Sequence, residues 1–199
     1  MSTAEFTALM LLCTAASFSP GPNTTLSTTL AANYGLKRAL GFVVAVPVGW
    51  GLLFSLCVFG IGAVVMAAPG LRFAIQAVGI AYLLWLAFKL AQSGTLSDAD
   101  PKRLNLSFWQ GVSLQFINIK AWMLALTVVG GWLAGRPDVL ARFAVILPLM
   151  MLFGLASNLA YALVGSLLRE WLAKGARLLW FNRLMASVLV ATAYWMATL

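Results

Sequence analysis

The chain has 199 residues, of which 62% are hydrophobic and only 9% are charged. Charged residues make up roughly a quarter of a soluble domain, so this composition excludes an ordinary soluble fold and indicates an integral membrane protein. The formal net charge of +8 comes from 13 basic and 5 acidic residues. Because the basic residues lie between apolar segments, we attribute the charge to orientation in the membrane and expect no nucleic-acid partner.

Six apolar segments follow one another along the chain, each near the length of about 20 mostly apolar residues that a spanning helix needs. A polar loop at 92–105 separates the third segment from the fourth. We therefore predict an all-α membrane protein with six transmembrane helices in a single domain over 1–199, with halves at about 1–92 and 106–199. The segments cover about 6–32, 39–66, 73–90, 108–132, 143–168 and 178–197.

The first segment contains the stretch Phe18-Ser19-Pro20-Gly21-Pro22-Asn23 near its centre. Proline removes a backbone donor and clashes with the preceding helical turn, so we predict a break here. Transporters use such breaks to present carbonyls, here those of Phe18 and Ser19, to cations and N–H groups to anions. We therefore place Pro20, Gly21, Pro22 and Asn23 in a substrate-binding site. A kink that only shapes packing is the alternative.

The fourth segment carries Gln115, Asn118 and Lys120 near its centre, and we add them to the substrate-binding candidates. A lysine near the bilayer centre costs about 2.5–3.5 kcal/mol on insertion scales. We expect Lys120 to be unpaired, so that it either loses its proton or awaits an anion such as a substrate carboxylate. Asn118 and Lys120 lie about 200° apart around a regular helix, so they meet one ligand only if the helix unwinds. The acidic residues all lie in loops or at segment ends: Glu5, Asp98, Asp100, Asp138 and Glu170.

The fifth segment has one polar stripe, formed by Asn158, Tyr161 and Gly165 at the i, i+3, i+7 spacing of one helix face. We add Asn158 and Tyr161 to the substrate-binding candidates. An asparagine at this depth also serves as a hydrogen-bonding contact between helices, and that alternative stays open for Asn158.

Basic residues are distributed unevenly between the loops. Loops rich in lysine and arginine face the cytoplasm, so we predict that the polar loop is cytoplasmic and that both termini lie outside. The N-terminus has no basic n-region, so we expect no cleaved signal peptide. The odd-numbered loops hold Lys37, Arg38, Lys89, Lys102, Arg103, Arg169, Lys174, Arg177 and Arg183, and the even-numbered loops hold Arg72, Arg136 and Arg142.

Three segments precede the cytoplasmic loop and three follow it, so any repeat of the halves has inverted topology. The first helix of each half carries polar residues near its centre, and the second carries a proline, Pro47 or Pro148. The third helices share a short likeness, 81–85 against 193–195. Together these features predict a three-plus-three inverted repeat with a broken first helix.

This chain has few of the residues that enzymes commonly use for catalysis. There is no histidine, no carboxylate inside an apolar segment, and the two cysteines, Cys13 and Cys57, lie in apolar runs without a Cys-x-x-Cys motif. We therefore expect no enzyme, no catalytic residue, no metal and no cofactor. No Walker motif is present, so ATP is not expected as the direct energy source.

The tetrad Pro20-Gly21-Pro22-Asn23 and the triplet Asn118-Ile119-Lys120 resemble motifs of the lysine exporter (LysE/RhtB) family of bacterial amino-acid efflux proteins. The six-segment spacing and the stretch at 81–86 are also similar, so the likeness covers nearly the whole chain. The family usually has Asn-Pro-Lys in the fourth helix, where Ile119 replaces the proline. It often has an acidic residue after a glycine in the second helix, where this chain has Gly49-Trp50.

The runs at 107–109 and 114–120, with the region around Ser157 and Asn158, look most like the branch that exports cysteine and O-acetylserine. The resemblance implies a secondary transporter in the bacterial inner membrane, with periplasmic termini. It would export small neutral amino acids or derivatives, cysteine- or O-acetylserine-like, with homoserine and threonine as further candidates. Its expected partners are an amino-acid substrate and membrane lipid, and a homodimer is left open. A channel-like permease for small zwitterions or ions is the alternative.

Overall fold

The computed structural model of the protein describes residues 1–93 and 106–198, and these residues are almost entirely helical. Most of the polar loop, including Asp98, Asp100, Lys102 and Arg103, lies outside the described residues, as does Leu199. In chain order the described helices are α1 (Thr3–Phe18), α2 (Pro22–Tyr34), α3 (Leu36–Val58), α4 (Ile61–Ala67), α5 (Pro69–Gln92), α6 (Phe108–Ile117), α7 (Ile119–Val128), a π-helical continuation of α7 (Val129–Leu133), α8 (Val139–Leu172) and α9 (Arg177–Ala197).

Three of these helices, α3, α5 and α8, are each long and apolar enough to cross a membrane. The pair of α6 and α7 meets the same criterion only as one span with a bend of 68°, and it makes a fourth candidate. Within the described residues, α1, α2 and α9 do not meet the criterion. The structure therefore supports a multi-pass membrane protein with three or four spans by length and composition, and the count of six stays a prediction.

α2 has only 13 residues, which is too short for a span, and more than half of them are threonine, serine or asparagine. Eleven of its thirteen residues are nevertheless buried. Its hydroxyls bond to its own backbone, as Thr28 does to the Thr24 carbonyl at 2.9 Å and Thr29 to the Thr25 carbonyl at 2.8 Å. α2 is thus enclosed by other helices, where its polar side chains find hydrogen-bond partners away from lipid.

The beginning of α1 is fixed by a capping box. Ser2 Oγ accepts from the Glu5 N–H at 3.2 Å, and the Glu5 carboxylate accepts from the Ser2 N–H at 2.8 Å. α6 begins in the same way, with Ser107 and Gln110 as the reciprocal pair. In both places a serine followed three residues later by a glutamate or glutamine marks the point where the helix begins.

Each broken segment packs against a long helix of the other half. α2 packs along α8, and a Cβ at Gly165 would overlap the Thr28 carbonyl. α6 packs along α3, and a Cβ at Gly49 would lie 2.6 Å from the Val112 oxygen. Glycine at these two positions lets the helix backbones approach closely, as membrane helices do at small residues. α5 packs along α9, and α3 also packs against α8.

Among the described residues the apolar core has two large clusters that meet at the level of the breaks, and a small third cluster of Ala32, Leu172 and Leu178. One large cluster contains residues of α2, α5 and α9 with the first half of α3, and the other contains residues of α1 and α7 with the second half of α3. Along α3 the two clusters meet between Val46 and Trp50. Across the second break they meet between Leu114 and Ala121. The breaks therefore lie in a layer between two apolar regions.

Polar contacts tie the helices together at each end of the bundle. At one end Glu5 lies 3.1 Å from Arg136 and 3.4 Å from Arg142, and Arg142 lies 2.8 Å from Asp138. We call these four residues the N-terminal ion-pair cluster. At the other end Asn182 donates to Asn33 Oδ1 at 3.1 Å and to the Ser93 carbonyl at 2.8 Å.

Candidate functional site

The break predicted in the first segment is present, since α1 ends at Phe18 and α2 begins at Pro22. Ser19 and Gly21 are extended, and the Gly21 N–H donates to Thr24 Oγ1 at 3.1 Å. Pro22 occupies the first helical position, where an N–H would have no helical partner in any case. The break therefore leaves the carbonyl end of α1 beside the N–H end of α2.

A second break interrupts the fourth segment at Asn118, whose backbone is extended (φ −91°, ψ 102°). Asn118 Oδ1 accepts from the Lys120 N–H at 3.2 Å, as an N-cap does. The Phe116 carbonyl accepts from Trp122 Nε1 at 2.8 Å, which replaces a helical donor. Ile119 in place of a proline does not prevent the break, because Asn118 caps α7 and Trp122 satisfies the freed carbonyl.

Lys120 reaches from the second break to the first. Its Nζ donates to Ser19 Oγ at 2.7 Å, to the Ser19 carbonyl at 3.1 Å and to the Pro20 carbonyl at 3.4 Å. A helix C-terminus carries partial negative charge, so the end of α1 stabilises the ammonium. The expectation that Lys120 is unpaired is therefore wrong. No carboxylate contacts it among the described residues, but three oxygens of the first break do.

The carbonyls that were expected to receive a ligand cation accept from protein donors instead. The Ser19 carbonyl accepts from Lys120, and the Phe18 carbonyl accepts from Tyr161 Oη at 2.9 Å. Because these two oxygens are the free end of α1, the contacts hold α1 against α7 and α8. The Phe18 and Ser19 carbonyls therefore position α1 in this structure, and their role toward a ligand cation stays a prediction.

The side-chain amides of Asn23 and Gln115 also link the two breaks. Asn23 Nδ2 donates to Gln115 Oε1 at 2.9 Å, and Gln115 Nε2 donates back to Asn23 Oδ1 at 3.1 Å. Gln115 also donates to the Gly111 carbonyl at 3.1 Å and is fully buried. The pair satisfies both amides, so it fixes the beginning of α2 relative to the end of α6.

Asn158 connects α8 to α2. Its Oδ1 accepts from Ser27 Oγ at 2.8 Å, and its Nδ2 donates to the Gly154 carbonyl at 2.8 Å. These bonds fit the interhelical contact that the sequence left open for this asparagine. Asn158 also lines the cavity between the breaks, so a contact between helices and a place beside a ligand are compatible here.

A cavity of about 70 Å³ lies between the two breaks. A water needs about 10–15 Å³ of such space, so roughly five waters fit, which is comparable to the bulk of a small amino acid. Its apolar wall comes mainly from α3, α7 and α8, with Val46, Pro47, Ala121, Leu124 and Met150.

Six of the nine predicted substrate-binding residues line this cavity: Gly21, Pro22, Asn23, Asn118, Lys120 and Asn158. Pro20 instead lines a neighbouring groove along α9, which shares Ser19 and Lys120 with the cavity. Gln115 and Tyr161 lie behind the lining residues, where they bond to Asn23 and to the Phe18 carbonyl.

Sequence reasoning missed four polar or aromatic residues of the lining, Ser17, Thr24, Trp50 and Ser157, and expected only the carbonyl of Ser19 to take part. Three of these, Ser17, Thr24 and Ser157, lie within three residues of a predicted site residue, so a wider margin around each motif would have found them. Trp50 has no such signal, because a tryptophan in an apolar run is typical of the core or of a surface that faces lipid.

Positive groups converge on the cavity. Lys120 and the first residues of α2 and α7 line the cavity, and no carboxylate lines it among the described residues. The first-turn N–H groups of Asn23 and Thr24 have no backbone acceptor within the part of the chain that the structure describes. Free N–H groups and a positive helix end favour an anion. No group of histidine, cysteine or acidic side chains among the described residues is placed to hold a metal ion.

Comparison with known proteins connects this geometry to a family. The family model described as LysE type translocator matches residues 14–198. The curated relatives include the cysteine/O-acetylserine efflux proteins of Escherichia coli (strain K12) and of Shigella flexneri. Each is 26% identical over 174 residues, which are 87% of this chain and 88% of the relative. No solved structure matches the chain.

Proposed function

The chain belongs to the LysE type translocator family, and from this premise we propose that it is a secondary transporter exporting small neutral amino acids or their derivatives from a bacterial cell. Membership makes it a membrane transporter and not an enzyme. The relatives named above are efflux proteins for cysteine and O-acetylserine, and at 26% identity their names indicate a class of substrate. The observation that carries the proposal is the meeting of Lys120 and two helix N-termini in one cavity without a carboxylate.

The carboxylate of the substrate would bind to Lys120 and the N–H end of α2. Lys120 Nζ is a charged donor, and Asn23 and Thr24 offer backbone N–H groups at a positive helix end. Since all the Lys120 contacts now go to Ser19 and Pro20, a carboxylate has to replace one of these oxygens. Substrate binding and the fixation of α1 are therefore coupled through a single ammonium group.

The ammonium of the substrate would face the other side of the break, where Ser17 lies near the carbonyl end of α1. A helix C-terminus favours a cation. The side chain would contact the apolar wall, which includes Pro47, Leu124 and Met150. Among the described residues no acidic side chain lines the cavity to pair with a second positive charge, and this argues against lysine or arginine as substrate.

The packing supports the predicted inverted repeat. The first broken segment packs against α8 and the second packs against α3, and each of these long helices contains a proline, Pro148 or Pro47. The glycine contacts are reciprocal as well, from Gly165 to Thr28 and from Gly49 to Val112. Repeats of this kind let one site open alternately to the two sides, as a secondary transporter requires.

The orientation is proposed from the basic residues. The chain enters the bundle at the end that holds the N-terminal ion-pair cluster, and this would be the outer, periplasmic face of an inner membrane. A phosphatase fused after the C-terminus should be active, and a reporter active only in the cytoplasm should work when inserted at Lys102. The reverse pattern would invert the proposed topology.

Counterflow tests the function directly. Vesicles containing the purified protein are loaded with unlabelled cysteine, O-acetylserine, homoserine or threonine, and entry of the labelled compound is followed. We expect transient accumulation above equilibrium with at least one of these, because a carrier exchanges its substrate. Unloaded vesicles are the control. Entry without transient accumulation would indicate a channel-like permease, and exchange of lysine but of no neutral amino acid would overturn the proposed substrate class.

A further inference from the structure

Trp50 lines the cavity but has no role in the proposed binding of the substrate carboxylate or ammonium. It belongs to α3, its side chain is 7% exposed, and it lines the cavity with Lys120 and Asn118. Its Nε1 has no hydrogen-bond partner among the described residues. A buried donor without a partner is costly, and native proteins retain such a group where something else satisfies it.

Packing holds the indole of Trp50 in place. Its ring stacks on Phe54 with centroids 4.9 Å apart and an angle of 13° between the planes. Phe54 in turn stacks on Phe143 of α8 at 5.7 Å. Since the ring is confined by this stack, its N–H has little freedom to turn toward a protein acceptor elsewhere. The donor is therefore left without a protein partner among the described residues, on a ring that lines the cavity.

The neighbours of Trp50 belong to the apolar wall. The cavity residues nearest to it along α3 are Val46 and Pro47, and α7 and α8 add Leu124 and Met150. The carboxylate would bind at Lys120 and the N–H end of α2, and the ammonium near the end of α1. The apolar wall is thus left for the side chain of the substrate, and Trp50 is a hydrogen-bond donor in that wall.

We propose that Trp50 is a specificity-determining residue whose indole N–H donates to an acceptor atom on the substrate side chain. The assignment rests on the proposed function of the cavity. Trp50 selects small amino acids that carry a hydroxyl, thiol or ester oxygen over apolar amino acids of the same shape. It also rejects ammonium and guanidinium side chains, since an indole N–H is a donor only and cannot pair with another donor.

The test compares two amino acids that differ only in a hydroxyl for a methyl group, homoserine and norvaline. Both are supplied as competitors of labelled substrate in the counterflow assay, with the wild-type protein and with Trp50→Phe. Phenylalanine keeps the stack on Phe54 and removes the N–H. We expect the wild type to prefer homoserine by about tenfold, and Trp50→Phe to bring the ratio close to one.

Trp122→Phe is the matched control, because Trp122 is equally buried but its N–H donates to the Phe116 carbonyl. Its homoserine-to-norvaline ratio should stay at the wild-type value even if its abundance falls. A wild-type ratio near one overturns the assignment without reference to any variant. An unchanged ratio in Trp50→Phe overturns it as well, and a parallel loss for both amino acids would assign the N–H to the carboxylate. A wild type that exchanges no amino acid would instead overturn the proposed function.

Discussion

The two helices on either side of the first break, α1 and α2, are held in different ways. α2 has eleven of thirteen residues buried, and its side chains bond along its length, from Asn23 near its beginning to Asn33 near its end. α1 has only Leu9 and Cys13 buried among sixteen residues. Most of its polar contacts lie at its two ends, at Glu5 and at Phe18 and Ser19.

This difference assigns the two helices different mechanical roles. Moving α2 would separate buried backbones and expose many polar groups, which is costly at membrane depth. Moving α1 would break a few hydrogen bonds and ion pairs and exchange apolar contacts with protein for contacts with lipid. α2 therefore belongs to the fixed framework of the bundle, and α1 is the element that can move when the contacts at its ends are released.

The largest effect is expected at the inner end of α1. Lys120→Met keeps length and apolar bulk but removes the charge that holds Ser19 and Pro20 and would bind the carboxylate. Transport should fall by about a hundredfold or more, since charge-assisted hydrogen bonds are among the strong ones, while abundance in the membrane stays similar. Labelled efflux normalised to immunoblot signal measures this.

Lys120→Arg should recover only part of the activity, because a guanidinium differs from an ammonium in shape and hydration. Lys89→Met is the matched control. Lys89 lies over the Trp85 ring at 5.4 Å, outside the cavity, so its loss should leave transport nearly unchanged. Wild-type efflux from Lys120→Met would show that the lysine holds α1 in place without binding substrate.

The next largest effect concerns the framework. Gly165→Ala adds a methyl group that overlaps the Thr28 carbonyl, so α2 and α8 have to separate. We expect the free energy of unfolding to fall by about 1–3 kcal/mol, as overpacking does elsewhere. Gly41→Ala is the control, since a Cβ there has nothing within 4 Å. Denaturant titration in detergent measures both, and equal stability of the two variants would contradict the close contact.

The smallest effect is expected at the outer end of α1. Glu5→Gln weakens the ion pairs to Arg136 and Arg142, so α1 should detach more often. Labelling of the buried Cys13 by a permeant maleimide should then rise a few-fold, while labelling of Cys57 in α3 stays unchanged. Single-cysteine variants separate the two signals. An equal rise at both cysteines would mean that the whole bundle loosens and that α1 does not move by itself.

The same contact predicts a pH dependence. The bond from the Ser2 N–H and then the Arg142 guanidinium lower the pKa of the Glu5 carboxyl. A lowered pKa contributes stability that is complete above the ordinary glutamate pKa of about 4.3 and disappears as the pH falls through the folded-state pKa. The melting temperature of the wild type should therefore exceed that of Glu5→Gln at neutral pH and converge with it in acid. A constant difference across this range would contradict the prediction.

The breaks could be predicted from the sequence because the residues that cause them are local. Two prolines and a glycine end α1 within four residues, and Asn118 caps α7 through its own side chain. The partners of Lys120 could not be predicted, because Ser19 and Pro20 lie about a hundred residues away in the chain. The pairing of Gln115 with Asn23 could not be predicted either, because 92 positions separate them in the chain.

The number of spans was harder to establish than the breaks. α2 has only 13 residues and is too short to count as a span by itself, and α9 contains Arg177 and Arg183, which lower its mean hydropathy. Asn33 and Asn182 are nevertheless both buried and bond to each other. Composition reports the average polarity of a helix and not what surrounds it. Trp50 shows the opposite limit, since its indole is apolar enough to resemble core, although the ring lines a cavity and its N–H has no partner among the described residues.

The oxygens around Lys120 also bear on how tightly the protein would hold its cargo. An ammonium has three N–H donors, and here three oxygens of the break accept from it. A carboxylate that binds there replaces existing contacts, so the net gain is only the difference between two sets of hydrogen bonds. Weak binding leaves the site largely unsaturated at ordinary metabolite levels, so the export rate rises in proportion to concentration. Release by the proposed route would then be first order, so the same fraction of the internal substrate would leave per unit time at any concentration below saturation.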